Sequence, residues 1–166
     1  MNIFCLRKKH LLVAAVLTAL AQTAHADTTW GLGVGSLYNG LGLNFGKTTD
    51  SSFTYGTLGC HSLSRGNNGT SKNETDTNCG VGIGYISTSL FANNKHGLGV
   101  GLDTTYNTFT SKYEARLKPG YYYFTNGINS SGFNFGIGPS YFHNAESSDD
   151  ENNDRIQMFL NIGYQF

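Results

Sequence analysis

Apolar residues alternate with glycine or small polar residues along most of the chain, and this pattern constrains the fold more than any other feature. It begins at residues 30–35 and recurs over 41–45, 79–85, 98–102 and 133–141. Because successive side chains of a strand point to opposite faces, a period of two over this much chain predicts strands with one apolar face. The 22 Gly, 10 Tyr and 11 Phe agree, since glycine is costly inside helices and aromatic residues favour strands.

Eight segments carry this pattern, separated by polar stretches that are rich in turn-forming residues, and Asn39-Gly40 predicts the first hairpin turn. Their lengths lie near the 9 to 11 residues that a tilted strand needs to cross a bilayer, and eight strands suffice to close a small barrel. The predicted strands are 28–37, 39–47, 52–62, 78–87, 97–108, 112–124, 131–143 and 155–166.

The first 26 residues have the pattern of a secretory signal peptide. Arg7, Lys8 and Lys9 precede the apolar run Leu11 to Leu20, and Ala24-His25-Ala26 supplies small residues for cleavage. About ten apolar residues are too few for a helix that crosses a bilayer. We therefore expect residues 1–26 to be removed, which leaves a single barrel domain, 27–166, with a formal charge of −3.

The face opposite the apolar one distinguishes a membrane barrel from a soluble, lipocalin-type barrel. A soluble barrel holds its apolar residues inside and shows charged residues to water. Here the complementary face consists mostly of glycine, asparagine and serine, and only 13% of all residues are charged. We therefore predict an all-β fold, a transmembrane up-and-down antiparallel barrel of eight strands with its apolar residues facing lipid.

The last strand ends with Leu160, Ile162, Tyr164 and the terminal Phe166 on one face. This ending resembles the signal that the outer-membrane assembly machinery reads in bacterial outer-membrane β-barrels, and the mature chain is similar in architecture to the small OmpA/OmpX-type family. The resemblance implies a Gram-negative outer membrane with its lipopolysaccharide, a porin-like fold and the assembly machinery as a partner. It also implies periplasmic termini and external loops after strands one, three, five and seven, including 64–77 and 144–154.

Charged residues on the glycine-rich face predict a polar cluster inside the barrel. An unpaired buried charge is costly, so we expect these side chains to pair with one another and to plug the interior. The alternative is a narrow water-filled path or a small ligand cavity, whereas eight strands leave too little room for a general porin. The predicted interior cluster consists of Asp103, Glu114, Arg116, Lys118 and Arg155.

Cys60 and Cys79 are the two cysteines of the mature chain, and an oxidising periplasm favours a disulfide between them. Strict alternation from outward-facing Phe53 and Tyr55 places Cys60 on the inner face, whereas Cys79 continues an outer face. We therefore expect a β-bulge near Gly56 or Gly59 that brings both cysteines to one side. Metal binding by this pair is the alternative.

No motif predicts a catalytic, cofactor or metal site. Equal numbers of basic and acidic residues exclude nucleic acid as a partner. His61 with Ser62 or Ser64, and His143 with Glu146, lie at the predicted external rim, but on opposite walls, so they cannot form one catalytic triad. We expect a non-enzymatic barrel that serves surface contact or envelope integrity, with an unknown extracellular partner. The alternatives are a lipid A-modifying enzyme, a narrow channel or a carrier of a small hydrophobic ligand.

Overall fold

A computed structural model describes residues 27–65, 74–107, 112–144 and 155–166, so the predicted signal peptide lies outside the described residues. Eight strands form, together with one turn of 3-10 helix, Ser36–Tyr38, between the first two. The strands are β1 Asp27–Gly35, β2 Gly40–Thr48, β3 Ser52–Arg65, β4 Glu74–Ser87, β5 His96–Asn107, β6 Lys112–Phe124, β7 Gly132–Asn144 and β8 Arg155–Gln165.

The strands close into one barrel in which each pairs antiparallel with the next along the chain and β8 pairs with β1. The prediction of an all-β, eight-stranded antiparallel barrel is therefore confirmed. Both ends of the described chain meet at one rim, where the amide of Phe166 donates to the carbonyl of Trp30. The described residues contain no helix long and apolar enough to cross a membrane.

Large apolar side chains cover the outer wall on every strand. On β1, for example, Trp30, Leu32 and Val34 are 44–52% exposed, whereas Gly31 between them is buried. Small and polar residues such as Asn44 and Asn134 face inward and are fully buried. The predicted alternation is present: apolar residues cover the outside, and glycine and small polar residues lie inside together with a set of larger side chains.

β3 departs from this rule, and the prediction of its faces was wrong. Phe53 and Tyr55 point into the barrel, with 0% and 5% exposure, while Leu58 points outward. Cys60 therefore lies on the outer face directly opposite Cys79, and the two sulfurs are bonded. The predicted disulfide is confirmed, but the predicted bulge is absent, because the β3–β4 ladder is continuous from residue 52 to residue 65.

The barrel interior is packed with aromatic side chains. Glycines on the neighbouring strands make room for these rings: a Cβ at Gly46 would lie 2.8 Å from the Phe53 ring, and one at Gly84 would collide with Tyr55. Close packing of large rings against bare backbone explains why the bulky residues of β3 face inward. The buried apolar residues are Leu37, Tyr38, Phe53, Tyr55, Ile86, Tyr122, Phe124, Ile128 and Phe159.

The β1–β2 turn folds into the barrel instead of extending its wall. β1 ends at Gly35, two residues before the predicted end, and Leu37 and Tyr38 of the turn are completely buried. Asn39 and Gly40 reverse the chain with positive φ values of 53° and 102°, a conformation that asparagine and glycine tolerate well. The turn thus closes part of the barrel interior from one end.

Candidate functional site above the β1–β2 turn

Three of the predicted interior charges form one ion-paired cluster inside the barrel. Asp103 on β5 and Arg116 on β6 are cross-strand neighbours on the inward face, and Arg116 Nε donates to Asp103 Oδ1 at 2.9 Å. Lys118, two residues further along β6, donates through Nζ to the other carboxylate oxygen. The three side chains are only 14%, 1% and 7% exposed in the order Arg116, Asp103, Lys118.

The same cluster holds the β1–β2 turn from across the barrel. Arg116 Nη2 donates to Asn39 Oδ1 at 3.1 Å, and Lys118 Nζ donates to the Ser36 carbonyl at 3.1 Å. The guanidinium carbon of Arg116 also lies 5.6 Å from the ring centre of Phe142. A second polar link fixes the turn, because the Tyr38 hydroxyl donates to Asn134 Oδ1 at 2.9 Å. The turn is therefore anchored on both β6 and β7.

The other two residues of the predicted cluster are Glu114 and Arg155. Glu114 is half-buried on the same face of β6 but lies outside the ion-paired group that the described residues form. The backbone of Arg155 begins β8 opposite Phe142, and its side chain lies outside the described part of the structure, so its pairing stays a prediction.

The barrel wall has a notch above the β1–β2 turn because these two strands are short. Pairing between β1 and β8 stops at Gly35 with Asn161, and pairing between β2 and β3 stops at Leu41 with Cys60. Within the described residues, β8 before Asn161 pairs only with β7, and β3 beyond Cys60 pairs only with β4. Two strand edges therefore face each other across the notch with the turn between them.

A cavity of about 220 Å³ lies inside this notch. The turn forms one side through Ser36 and Asn39, and Arg116 and Lys118 contribute their charges from β6. The ion-paired group of Asp103, Arg116 and Lys118 has one carboxylate for two cations, and Glu114 lies outside both this group and the cavity lining. The other residues of the lining are Gly35, Gly40, His61, Ser140, Phe142 and Gln157–Leu160.

The far wall of the cavity includes a break in the β6–β7 ladder. Pairing stops at Leu117 with Tyr141 and resumes in the same register at Tyr121 with Ile137. The only two prolines of the chain, Pro119 and Pro139, lie in this interval, and proline cannot donate to a ladder. Ser140, next to Pro139, is buried, and its hydroxyl has no hydrogen-bond partner among the described residues.

An apolar groove of about 480 Å³ crosses the outer wall beside the notch. Leu160 lines both the groove and the cavity, so the two concave surfaces adjoin at this residue. Side chains on β6, β7, β8 and β1 complete the groove, among them Tyr121, Ile137, Ile162 and Val34. The sequence pattern did not reveal this groove, because its residues follow the same alternation as the rest of the outer wall.

Of the residues that the enzyme hypothesis requires, the structure describes the side chain of His61. His61 lines the cavity and lies 3.4 Å from Asn78 through its Nε2 atom. The side chains of Ser62, Ser64 and His143 and the whole of Glu146 lie outside the described part. Within that part, no group of three or more His, Cys, Asp or Glu side chains is arranged to hold a metal ion.

The predicted assembly signal lies on the outer face of β8. Leu160 is 69%, Ile162 52% and Phe166 49% exposed, and Tyr164 is half-buried. Phe166 stacks on Trp30 with ring centres 4.1 Å apart and also contacts the ring of Tyr164. Its side chain is therefore part of an aromatic cluster at the rim where the termini meet.

Comparison with protein-family models, curated proteins and solved structures found no match to this chain.

Proposed function

We propose that the chain is an integral outer-membrane β-barrel of the OmpA/OmpX-type architecture, exported by its signal peptide, with both termini in the periplasm. The observation that carries this proposal is the apolar outer wall. Residues such as Leu32, Val81, Leu102 and Ile137 lie on separate strands around the barrel and are all 46–54% exposed. A continuous apolar surface of this kind would be poorly hydrated in water, whereas a membrane barrel requires it.

The packed interior supports a barrel that does not conduct ions. Rings from the turn, β3, β6 and β8 occupy the lumen, and the Asp103 cluster links β6 to the β1–β2 turn inside the barrel. We therefore infer a non-enzymatic role in surface contact or envelope integrity, carried by the external loops. These loops would contact lipopolysaccharide and an extracellular partner. Single-channel recordings should show no conductance steps, and lipid A mass spectra should be unchanged by expression.

A charge on the outer wall tests the membrane environment directly. Leu102, in the middle of β5, is 52% exposed, so Leu102→Arg removes no interior contact. An arginine that faces lipid near the bilayer midplane costs about 2–4 kcal/mol. We expect this loss in the unfolding free energy measured in phospholipid vesicles, against a smaller loss for the Leu102→Ala control. Equal stability of the Arg and Ala variants would contradict a lipid-facing wall.

A further inference from the structure

We propose that the cavity in the notch and the adjoining outer groove together bind one molecule from the membrane, a single-chain lipid with an anionic headgroup. The headgroup lies in the cavity beside Arg116, and the acyl chain passes over Leu160 into the groove. This inference rests on the proposed membrane location, because only there does the notch open toward lipid.

The charge at the cavity selects an anion. Among the described residues, the lysine and arginine side chains that line the cavity are Arg116 and Lys118, whereas the carboxylates of Asp103, which both contact, and of Glu114, on the same face of β6, lie outside the lining. The hydrogen bonds of Arg116 within the described residues use Nε and one hydrogen of Nη2, so three of its five donors remain for a ligand. A planar guanidinium with free donors suits carboxylate or phosphate oxygens.

Unsatisfied polar groups at the cavity also call for a polar ligand. Ser140 is 96% buried, it lines the cavity, and its hydroxyl has no partner among the described residues. The edge of β8 over residues 156–160 has no β1 partner within the described part. Unpaired backbone groups are costly next to hydrocarbon, so a headgroup in the notch would supply hydrogen bonds that neighbouring strands do not.

The size of the cavity separates headgroup from tail. A volume of about 220 Å³ is smaller than the roughly 300–1,000 Å³ of pockets that enclose a whole small molecule. A lipid that uses it must therefore leave its chain outside. The chain can leave the cavity through the notch. Side chains at the rim of the notch have few neighbours: Leu41, Ile156, Met158 and Leu160 are 66–69% exposed, against 36–61% for the other exposed large hydrophobic residues of the strands.

The outer groove gives the chain a place to lie. Its volume of about 480 Å³ falls within the pocket range, and its lining is almost entirely apolar, with Leu160 at the end nearest the cavity. Charge, unsatisfied hydroxyl, size and apolar continuity therefore lead to the same occupant, a chain with a negative headgroup. Neutral lipids would fill the groove but leave the cavity groups unpaired.

The test uses the mature protein in phosphatidylcholine vesicles, with folding verified by the mobility shift on boiling. Hexadecanoate and hexadecan-1-ol, each with a nitroxide at the same carbon, are compared by the protein-immobilised fraction of the spin label. We expect hexadecanoate to associate at least tenfold more strongly, and excess acetate or inorganic phosphate not to displace it. Equal association of the two probes, or displacement by the soluble anions, would overturn the proposal.

Arg116→Gln removes the charge from the headgroup site, and Lys95→Gln makes the same change on an exposed lysine between β4 and β5. Loss of hydrogen bonds to a charged group predicts association of hexadecanoate about ten- to a hundredfold weaker in the first variant and unchanged in the second. Equal association in both variants would show that Arg116 does not bind the headgroup.

A variant that leaves the interior intact keeps the proposal testable if Arg116→Gln does not fold. Leu160→Trp fills the junction of cavity and groove, and Leu102→Trp adds the same ring on the outer face of β5, outside both linings and away from the notch. We expect at least tenfold weaker association in the first variant only. Association unaffected by Leu160→Trp contradicts the path of the chain.

Two further outcomes separate this inference from the proposed function. A protein that remains in solution and shows no shift on boiling refutes the membrane barrel itself. A folded, inserted barrel that does not prefer hexadecanoate refutes only the lipid site. A second copy of the chain as the occupant of the notch would appear as a dimer in sedimentation, with probe association falling as the protein concentration rises, and would also overturn the lipid site.

Discussion

Replacement of Asp103 by Asn tests whether the interior cluster stabilises the barrel. Asp103 is the carboxylate that both Arg116 and Lys118 contact, and its side chain is 1% exposed. The variant keeps the volume but leaves two buried cations without a counter-charge. Removal of one partner from a buried ion pair costs about 3–5 kcal/mol, so we expect the unfolding free energy of the barrel to fall by that amount.

Lys118→Met provides the internal comparison because it leaves the Arg116–Asp103 pair intact. This variant loses the hydrogen bonds that the charged Lys118 ammonium makes, so we expect its unfolding free energy to be lower by about 1.5–3 kcal/mol. Urea titration of the refolded barrel, followed by the folded band on unboiled gels, measures both variants. Asp50→Asn, on an exposed carboxylate between β2 and β3, should stay within about 0.5 kcal/mol of the parent protein. A cost for Asp103→Asn no larger than that of Lys118→Met would refute the reasoning.

Three further predictions use the same unfolding measurement or the yield of folded barrel. Serine at both Cys60 and Cys79 should lower stability by about 3 kcal/mol, since the disulfide closes a loop across 19 positions, and reductant should then have no additional effect. Tyr38→Phe should cost about 1–3 kcal/mol, because it leaves the buried amide of Asn134 without its hydroxyl partner; no loss would contradict the anchoring of the turn. Deletion of Phe166 should deplete folded barrel from the outer membrane of cells, whereas Phe166→Tyr should preserve it.

The strands were predictable because their signal is local. A strand with one apolar face needs only alternation, and the predicted bounds lie within about four residues of those observed for every strand. The Asp103, Arg116 and Lys118 cluster was predictable for the same reason: all three occupy inward positions of neighbouring strands. The cysteine pair was predicted from composition and the expected oxidising compartment, not from geometry.

The inward rings were not predictable from β3 alone. Phe53 and Tyr55 look like lipid-facing residues in their own segment, and the space that accepts them is created by Gly46 on β2 and Gly84 on β4. The face that a side chain takes depends on the space that neighbouring strands leave for it, and the alternation pattern within one strand carries no information about that space.

The notch was missed because it depends on differences in strand length. β1 and β2 have 9 residues each, whereas β3 has 14 and β8 has 11. Predicted bounds that are uncertain by two to four residues hide such a difference. The cavity therefore emerges only from the register, which places Gly35 opposite Asn161 and Leu41 opposite Cys60.

Trp30 offers the most direct test that the outer wall faces lipid. It is the only tryptophan of the chain, it lies on the outer face, and it is 44% exposed beside Phe166. Its fluorescence should be quenched strongly by phospholipids brominated near the headgroup, where tryptophan rings of membrane barrels reside, and weakly by aqueous acrylamide. Strong quenching by acrylamide in the folded protein, with no effect of brominated lipid, would contradict the membrane barrel.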